Sequence, residues 1–174
     1  MSFQTKFNYI IAKTEVTAGT AVALSGTDFD WCPIDGTIEY TPTIEIDDEN
    51  AKCANAEHGE SESITGNQFA TVSFSYKYRW SGAVATPPKM NTKLFPACGL
   101  TETVIGATGV KWEPLLAGDS ADGNSITIGV YEKERLASPQ ARLHTLAGCM
   151  GNAVFTCEGV GKPLIVSLLL QVKS

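Results

Sequence analysis

The sequence predicts an all-β domain, an antiparallel β-sandwich or barrel with one short helix and a long projecting hairpin loop. Two observations carry this. Apolar residues recur at every second position in four separate stretches, the period of a strand with one face buried. Between these stretches lie short turn signals, Ser25-Gly26-Thr27, Asp35-Gly36, Ala117-Gly118-Asp119, Asp122-Gly123-Asn124 and Gly159-Val160-Gly161, spaced as antiparallel sheets require. With 174 residues, 43% of them hydrophobic, the chain is long and apolar enough to bury one core without disulfide staples, so residues 1–174 read as a single domain.

In chain order, the first strand candidates are 7–14 and 20–24. Ile38, Tyr40, Ile44 and Ile46 then alternate with polar residues, and Pro42, which cannot donate to a ladder, places this strand at a sheet edge or a bulge. Val72, Phe74, Tyr76, Tyr78 and Trp80 alternate with Thr71, Ser73, Ser75, Lys77 and Arg79, the clearest period of two in the chain. After Pro87-Pro88 the period changes. Met90 and Leu94 stand four apart, Gly99 supplies a C-cap and Pro96 limits the run, so 89–98 reads as the one short helix, plugging an opening of the sheet. Strand candidates resume at 110–113, at Ile126, Ile128 and Val130, at 142–146 and 154–158, and at Leu164, Val166, Leu168, Leu170 and Val172.

Residues 47–66 break the pattern. They carry Asp47, Asp48, Glu49, Glu57, Glu60 and Glu62 against Lys52 alone and join two strands, which predicts a long hairpin with an acidic tip. Charge is polarised along the whole chain. Residues 1–62 hold 12 acidic and three basic residues, a net −9, while 63–174 hold seven acidic and ten basic, a net +3. An overall charge of −6 disfavours a surface that grips nucleic acid, which needs clustered Lys and Arg. The apolar run near 163–170 is too short for a membrane-spanning helix, and the N-terminus lacks a secretory-signal pattern, so the chain is expected to remain in the cytosol.

The residue types of common catalytic and metal sites are present without their spacing. Cys32, Cys53, Cys98, Cys149 and Cys157 are odd in number and contain no C-x-x-C pair; they are expected to be buried free thiols. His58 and His144 belong to no metal-binding motif, and no cysteine carries a Cys-His hydrolase signature. The glycines of 148–151 and 159–161 fit turns between strands better than a phosphate cradle. Asp47-Asp48-Glu49-Asn50 lacks the alternation of a calcium loop, which leaves a solvated charge run as the simpler reading. The aromatic stripe from Phe74 to Trp80 is expected to be core, with a stacking platform for nucleic acid or sugar as the alternative. The expectation is a protein that is not an enzyme and needs no metal or cofactor.

One stretch carries a resemblance. Ser81-Gly82-Ala83-Val84-Ala85-Thr86-Pro87-Pro88 leads through Leu94-Phe95-Pro96-Ala97-Cys98-Gly99-Leu100-Thr101-Glu102-Thr103, a small-residue loop, a short helix and an L-x-x-A-C-G-L segment. Residues 146–159 with Gly161-Lys162-Pro163-Leu164, and the N-terminal stretch 11–20, extend the pattern. In these features the sequence resembles the tail tube (major tail) proteins of long-tailed bacteriophages. The resemblance implies a virion protein assembled in the host cytoplasm, whose subunits form hexameric rings stacked head to tail into a tube through which DNA passes without specific binding. Long hairpins from each subunit would close an inner barrel. Under this reading Asp47, Asp48, Glu49, Glu57, Glu60 and Glu62 form the stacking interface. Glu39, Glu45 and Asp47, alternating with apolar residues, form a lumen-facing row that repels DNA phosphates. The competing expectations are another virion ring protein, for head-to-tail completion or capsid decoration, and a small β-sandwich module that binds a ligand or carbohydrate through its aromatic strand.

Overall fold

The computed structural model describes residues 7–25, 29–30, 38–47, 64–116, 124–133 and 141–172. Within them the chain is all-β with one helix. The strands are β1 (Phe7–Thr14), β2 (Phe29–Asp30), β3 (Glu39–Asp47), β4 (Ile64–Lys77), β5 (Leu100–Ile105), β6 (Gly109–Pro114), β7 (Ile126–Lys133), β8 (Ala141–Cys157) and β9 (Leu164–Val172), and the helix is α1 (Lys89–Ala97). Seven strands form one antiparallel sheet in the order β2-β1-β7-β8-β9-β4-β3, and β5 and β6 form a separate two-stranded sheet. The large sheet is not closed into a barrel: β2 and β3 remain its edges.

A single long strand turns this sheet into a sandwich. The N-terminal part of β8 pairs with β7, from Ala141↔Lys133 to Cys149↔Ile126, and its C-terminal part pairs with β9, from Cys149↔Val172 to Cys157↔Leu164. Partners change at Cys149, so β8 belongs to two half-sheets, β2-β1-β7-β8 and β8-β9-β4-β3. The sequence suggested two strands here, with Gly148 and Gly151 in a turn between them. Instead, both glycines form the corner of one strand. Gly148 has φ +70°, which costs a glycine little. At Gly151 an added Cβ would lie 1.9 Å from the carbonyl oxygen of Leu169, so β8 crosses β9 at a distance only glycine permits.

The two halves face one another across a common core. Ile10 and Ala12 of β1, Ile128 and Val130 of β7, Val72 and Phe74 of β4, and Val166, Leu168 and Leu170 of β9 are buried in one cluster. The Tyr40 ring of β3 lies 5.2 Å from the His144 ring of β8, which joins the far edge of one half to the other. The helix covers the remaining opening, as expected. Met90, Leu94, Phe95 and Ala97 face the core, and the Tyr76 hydroxyl donates to Asn91 Oδ1 at 2.7 Å. Cys98 and Gly99 close the helix with N–H bonds to Phe95 and Pro96 carbonyls, Gly99 at φ +74°.

Two other expectations are corrected. Residues 20–25 are not a strand. They cross the outer side of β7, fastened by Val22 N–H to Thr127 Oγ1 at 3.1 Å and Lys13 Nζ to the Ala23 carbonyl at 3.3 Å, side-chain ties rather than a ladder. The aromatic stripe divides: Phe74 and Tyr76 are buried, but β4 ends at Lys77 and Trp80 is 79% exposed. The chain leaves the sheet after Tyr78, whose N–H bonds the Leu164 carbonyl, and enters the loop where Gly82 takes φ +81°. The hairpin of β3 and β4 forms with Asp47 opposite Ile64, so Asp47 and Ile64–Gly66 are strand, and the connection of residues 48–63 lies outside the described residues. Pro42 sits on the edge strand, where its missing N–H is tolerated. The register shift of this hairpin lies between Ile44 and Ile46, where β4 carries one more residue than β3.

Candidate assembly interface

The half-sheet β8-β9-β4-β3 has four strands of alternating direction. Among the described residues, β3 pairs only with β4 along its whole length, and β8 beyond Cys149 pairs only with β9. The half-sheet therefore presents two open edges, running in opposite directions, one on each side. Open edges carry unpaired backbone N–H and C=O groups and are templates for pairing with another chain. Register fixes the faces. Tyr40↔Val72 and Pro42↔Ala70 place Tyr40, Pro42 and Ile44 on the core side of β3, and Phe155↔Val166 and Ala153↔Leu168 place Ala153 and Phe155 on the core side of β8. Ile44 is 56% exposed and Phe155 is 45% exposed, both on open-edge strands and both on the face that is core elsewhere in the sheet.

The opposite face of this half-sheet holds Glu39, Thr41 and Thr43 of β3, continued by Ser73 and Ser75 of β4 and Ser167 of β9, with the exposed apolar side chains of Phe69, Leu169 and Val154 among them. Glu39, expected in a lumen-facing row, is exposed, and its Oε2 accepts from Ser73 Oγ at 3.3 Å. Glu45 and Asp47 share its parity on β3, while their side chains lie outside the described residues. Of the expected stacking residues, Asp48, Glu49, Glu57, Glu60 and Glu62 also lie outside them.

A second surface escaped the sequence. At the end of the half-sheet where β4 stops and β9 starts, Tyr78, Trp80, Phe95, Trp112, Phe155 and Lys162 line an open groove of about 610 Å³, with Leu100, Val110 and Leu164 among its floor. Phe95 is the hub, its ring centroid 4.8 Å from Trp112 and 5.5 Å from Phe155 in edge-to-face contacts, the favoured aromatic geometry. The indole Nε1–H of Trp112 is buried and has no acceptor among the described residues. No sequence period connects these rings, because they come from four different segments. The expected platform on Tyr76 is not available, since Tyr76 is buried and its hydroxyl engaged.

Among the described residues no group of three or more His, Cys, Asp or Glu has metal-holding geometry. Burial pushes the Cys98 and Cys149 thiols up to about 12, away from the thiolate form. Cys157 is exposed, contrary to the expectation of a buried thiol, and Cys32, Cys53 and His58 lie outside the described residues. His144 is half-buried against Tyr40. No described helix is long and apolar enough to cross a membrane. No protein-family model matches the chain, and no curated protein does.

Proposed function

We propose that this chain is a structural subunit that assembles with copies of itself into rings, stacked as the tube of a bacteriophage tail that conducts DNA. The observation that carries the reading is the four-stranded half-sheet open at both edges. An even number of alternating strands makes its two edges antiparallel to each other, so β3 of one copy matches the C-terminal half of β8 in the next with the core side kept on one side throughout. Such a contact is heterologous, and repetition about an axis closes it into a ring that leaves no edge exposed. Ile44 and Phe155 then become interior residues of the joined sheet. The opposite face, where hydroxyls and Glu39 stand beside Phe69, Val154 and Leu169, faces the lumen and offers DNA phosphates few basic groups to bind.

Sedimentation velocity across a protein-concentration series tests this reading. The unaltered chain sediments as a multi-subunit species, while Ile44→Lys, which places a charge on the open edge, sediments as monomer, its unfolding free energy in urea within about 0.5 kcal/mol of the unaltered chain's at a dilution where both are monomeric. A monomer at all concentrations contradicts the proposal, and closed rings that never stack favour a completion or decoration role. The aromatic groove supports a second reading, a binding module; oligosaccharide binding by the monomer, abolished by Trp80→Ala, would establish it.

A further inference from the structure

The lining of the aromatic groove selects among ligand chemistries. Trp80 is 79% exposed, yet its ring stands edge-to-face with Tyr78, centroids 5.3 Å apart at 85°, which fixes the indole while leaving it open to water. A ring already held in place costs a ligand little to order. Phe155, 45% exposed, and Pro163 continue the apolar surface. Among the described residues that line the groove Lys162 alone is charged, and its Nζ meets Glu158 Oε2 at 3.1 Å, with both side chains more than half exposed. This pair carries no net charge and sets an N–H donor beside a carboxylate acceptor. The Trp112 Nε1–H is closed off from water, so it offers nothing to a ligand in the open groove.

We propose that the groove binds a neutral oligosaccharide, with pyranose rings stacked on Trp80 and Phe155 and hydroxyls shared between Lys162 and Glu158. This rests on the binding-module reading above, names its ligand class, and does not depend on ring formation. A pyranose has an apolar C–H face and a rim of hydroxyls, each both donor and acceptor. The exposed rings match the face. The ion pair matches the rim: the Lys162 ammonium donates to one hydroxyl oxygen and the Glu158 carboxylate accepts the O–H of the next, bonds of the stronger, charge-assisted kind. Because the ammonium is already neutralised by its partner, charge complementarity favours an uncharged ligand over an acidic one. A proline-rich peptide, another occupant of aromatic grooves, makes its polar contacts through carbonyl oxygens and has no donor on its prolines for Glu158. The groove is open, which suits a chain lying across it rather than one enclosed small molecule.

Calorimetric titration of the full-length chain tests this with hexasaccharides of glucose, N-acetylglucosamine, mannose and galactose, with a galacturonate hexasaccharide, and with an oligoproline peptide. At least one neutral hexasaccharide binds, with an affinity that does not change between about 50 mM and 500 mM salt. Trp80→Ala weakens it about tenfold or more, as loss of a stacking platform does. Glu158→Gln, which leaves Lys162 without its carboxylate, weakens the neutral ligand several-fold and gives galacturonate a salt-sensitive affinity that the unaltered chain lacks. All three side chains are exposed, so these substitutions leave the fold intact. No binding by any neutral hexasaccharide, or binding that Trp80→Ala leaves unchanged, overturns the proposal. Its failure and that of the binding-module reading differ. Galacturonate or oligoproline bound in place of the neutral sugars, and lost in Trp80→Ala, overturns the ligand class and keeps the module, whereas no binding by any probe overturns both.

Discussion

Glu15 is 8% exposed, just past the end of β1, and its carboxylate accepts four hydrogen bonds: Ser125 Oγ at 2.6 Å, Thr127 Oγ1 at 2.7 Å, Gly148 N–H at 2.7 Å and Gly19 N–H at 2.9 Å. It thus fastens β1, β7 and the corner of β8 together. Burial works against its charge, but the donors from Ser125, Gly148, Thr127 and Gly19 outweigh it and hold the carboxyl below its ordinary value. A carboxyl whose pKa is lowered on folding contributes stability that is full above the ordinary carboxylate range and is lost as pH falls through the lowered folded value. Urea unfolding at pH 7 and at pH 3 should therefore show a smaller acid loss for Glu15→Gln than for the unaltered chain. Glu15→Ala should cost about 3 kcal/mol at pH 7, because several buried donors lose their acceptor. Nothing in the sequence singles out this residue. Its partners come from Gly19 on one side and from residues over 100 positions away on the other, and a single glutamate after a strand has no periodic signature.

At the scale of elements, legibility followed the range of the interactions. β1 falls on the strand candidate 7–14, although Ile10, Ile11 and Ala12 are buried in succession rather than alternately, and α1 differs from 89–98 by one residue, because a glycine cap is written locally. The sequence of β8 looks like two strands because Gly148 and Gly151 resemble punctuation, yet they serve the long-range crossing of β9. Gly151→Ala tests that explanation. A Cβ has no room beside the Leu169 backbone, and backbone cannot swing aside as a side chain can. Chemical denaturation should show a loss of about 2–3 kcal/mol, with the amide exchange protection of 149–153 reduced first. A neutral substitution would mean that the corner has slack. The β5–β6 hairpin shows the same limit from the other direction. Among the described residues its strands pair only with each other, and two strands alone are marginal in water, so its contribution emerges in three dimensions, where Leu100, Val110 and Trp112 line the groove.

For the whole molecule, the fold class was legible, and so was the charge asymmetry, since both are carried by composition and period. The surfaces where copies would meet were only half legible. The acidic connection stands out in sequence as a run of like charges, whereas the open edges depend on strand order and the aromatic groove on rings from four segments converging. In the proposed assembly one chain carries two kinds of contact, edge to edge within a ring and ring on ring along the tube. Contacts between surfaces of opposite charge weaken as salt shortens the screening length, whereas strand pairing with apolar burial is far less sensitive. Ionic strength should therefore separate the two levels of assembly. The most direct measurement is negative-stain electron microscopy of the purified chain from about 50 mM to 1 M salt. Tubes or stacked rings at low salt that shorten toward single rings at high salt are the predicted result, and monomers at every salt and protein concentration would contradict the account.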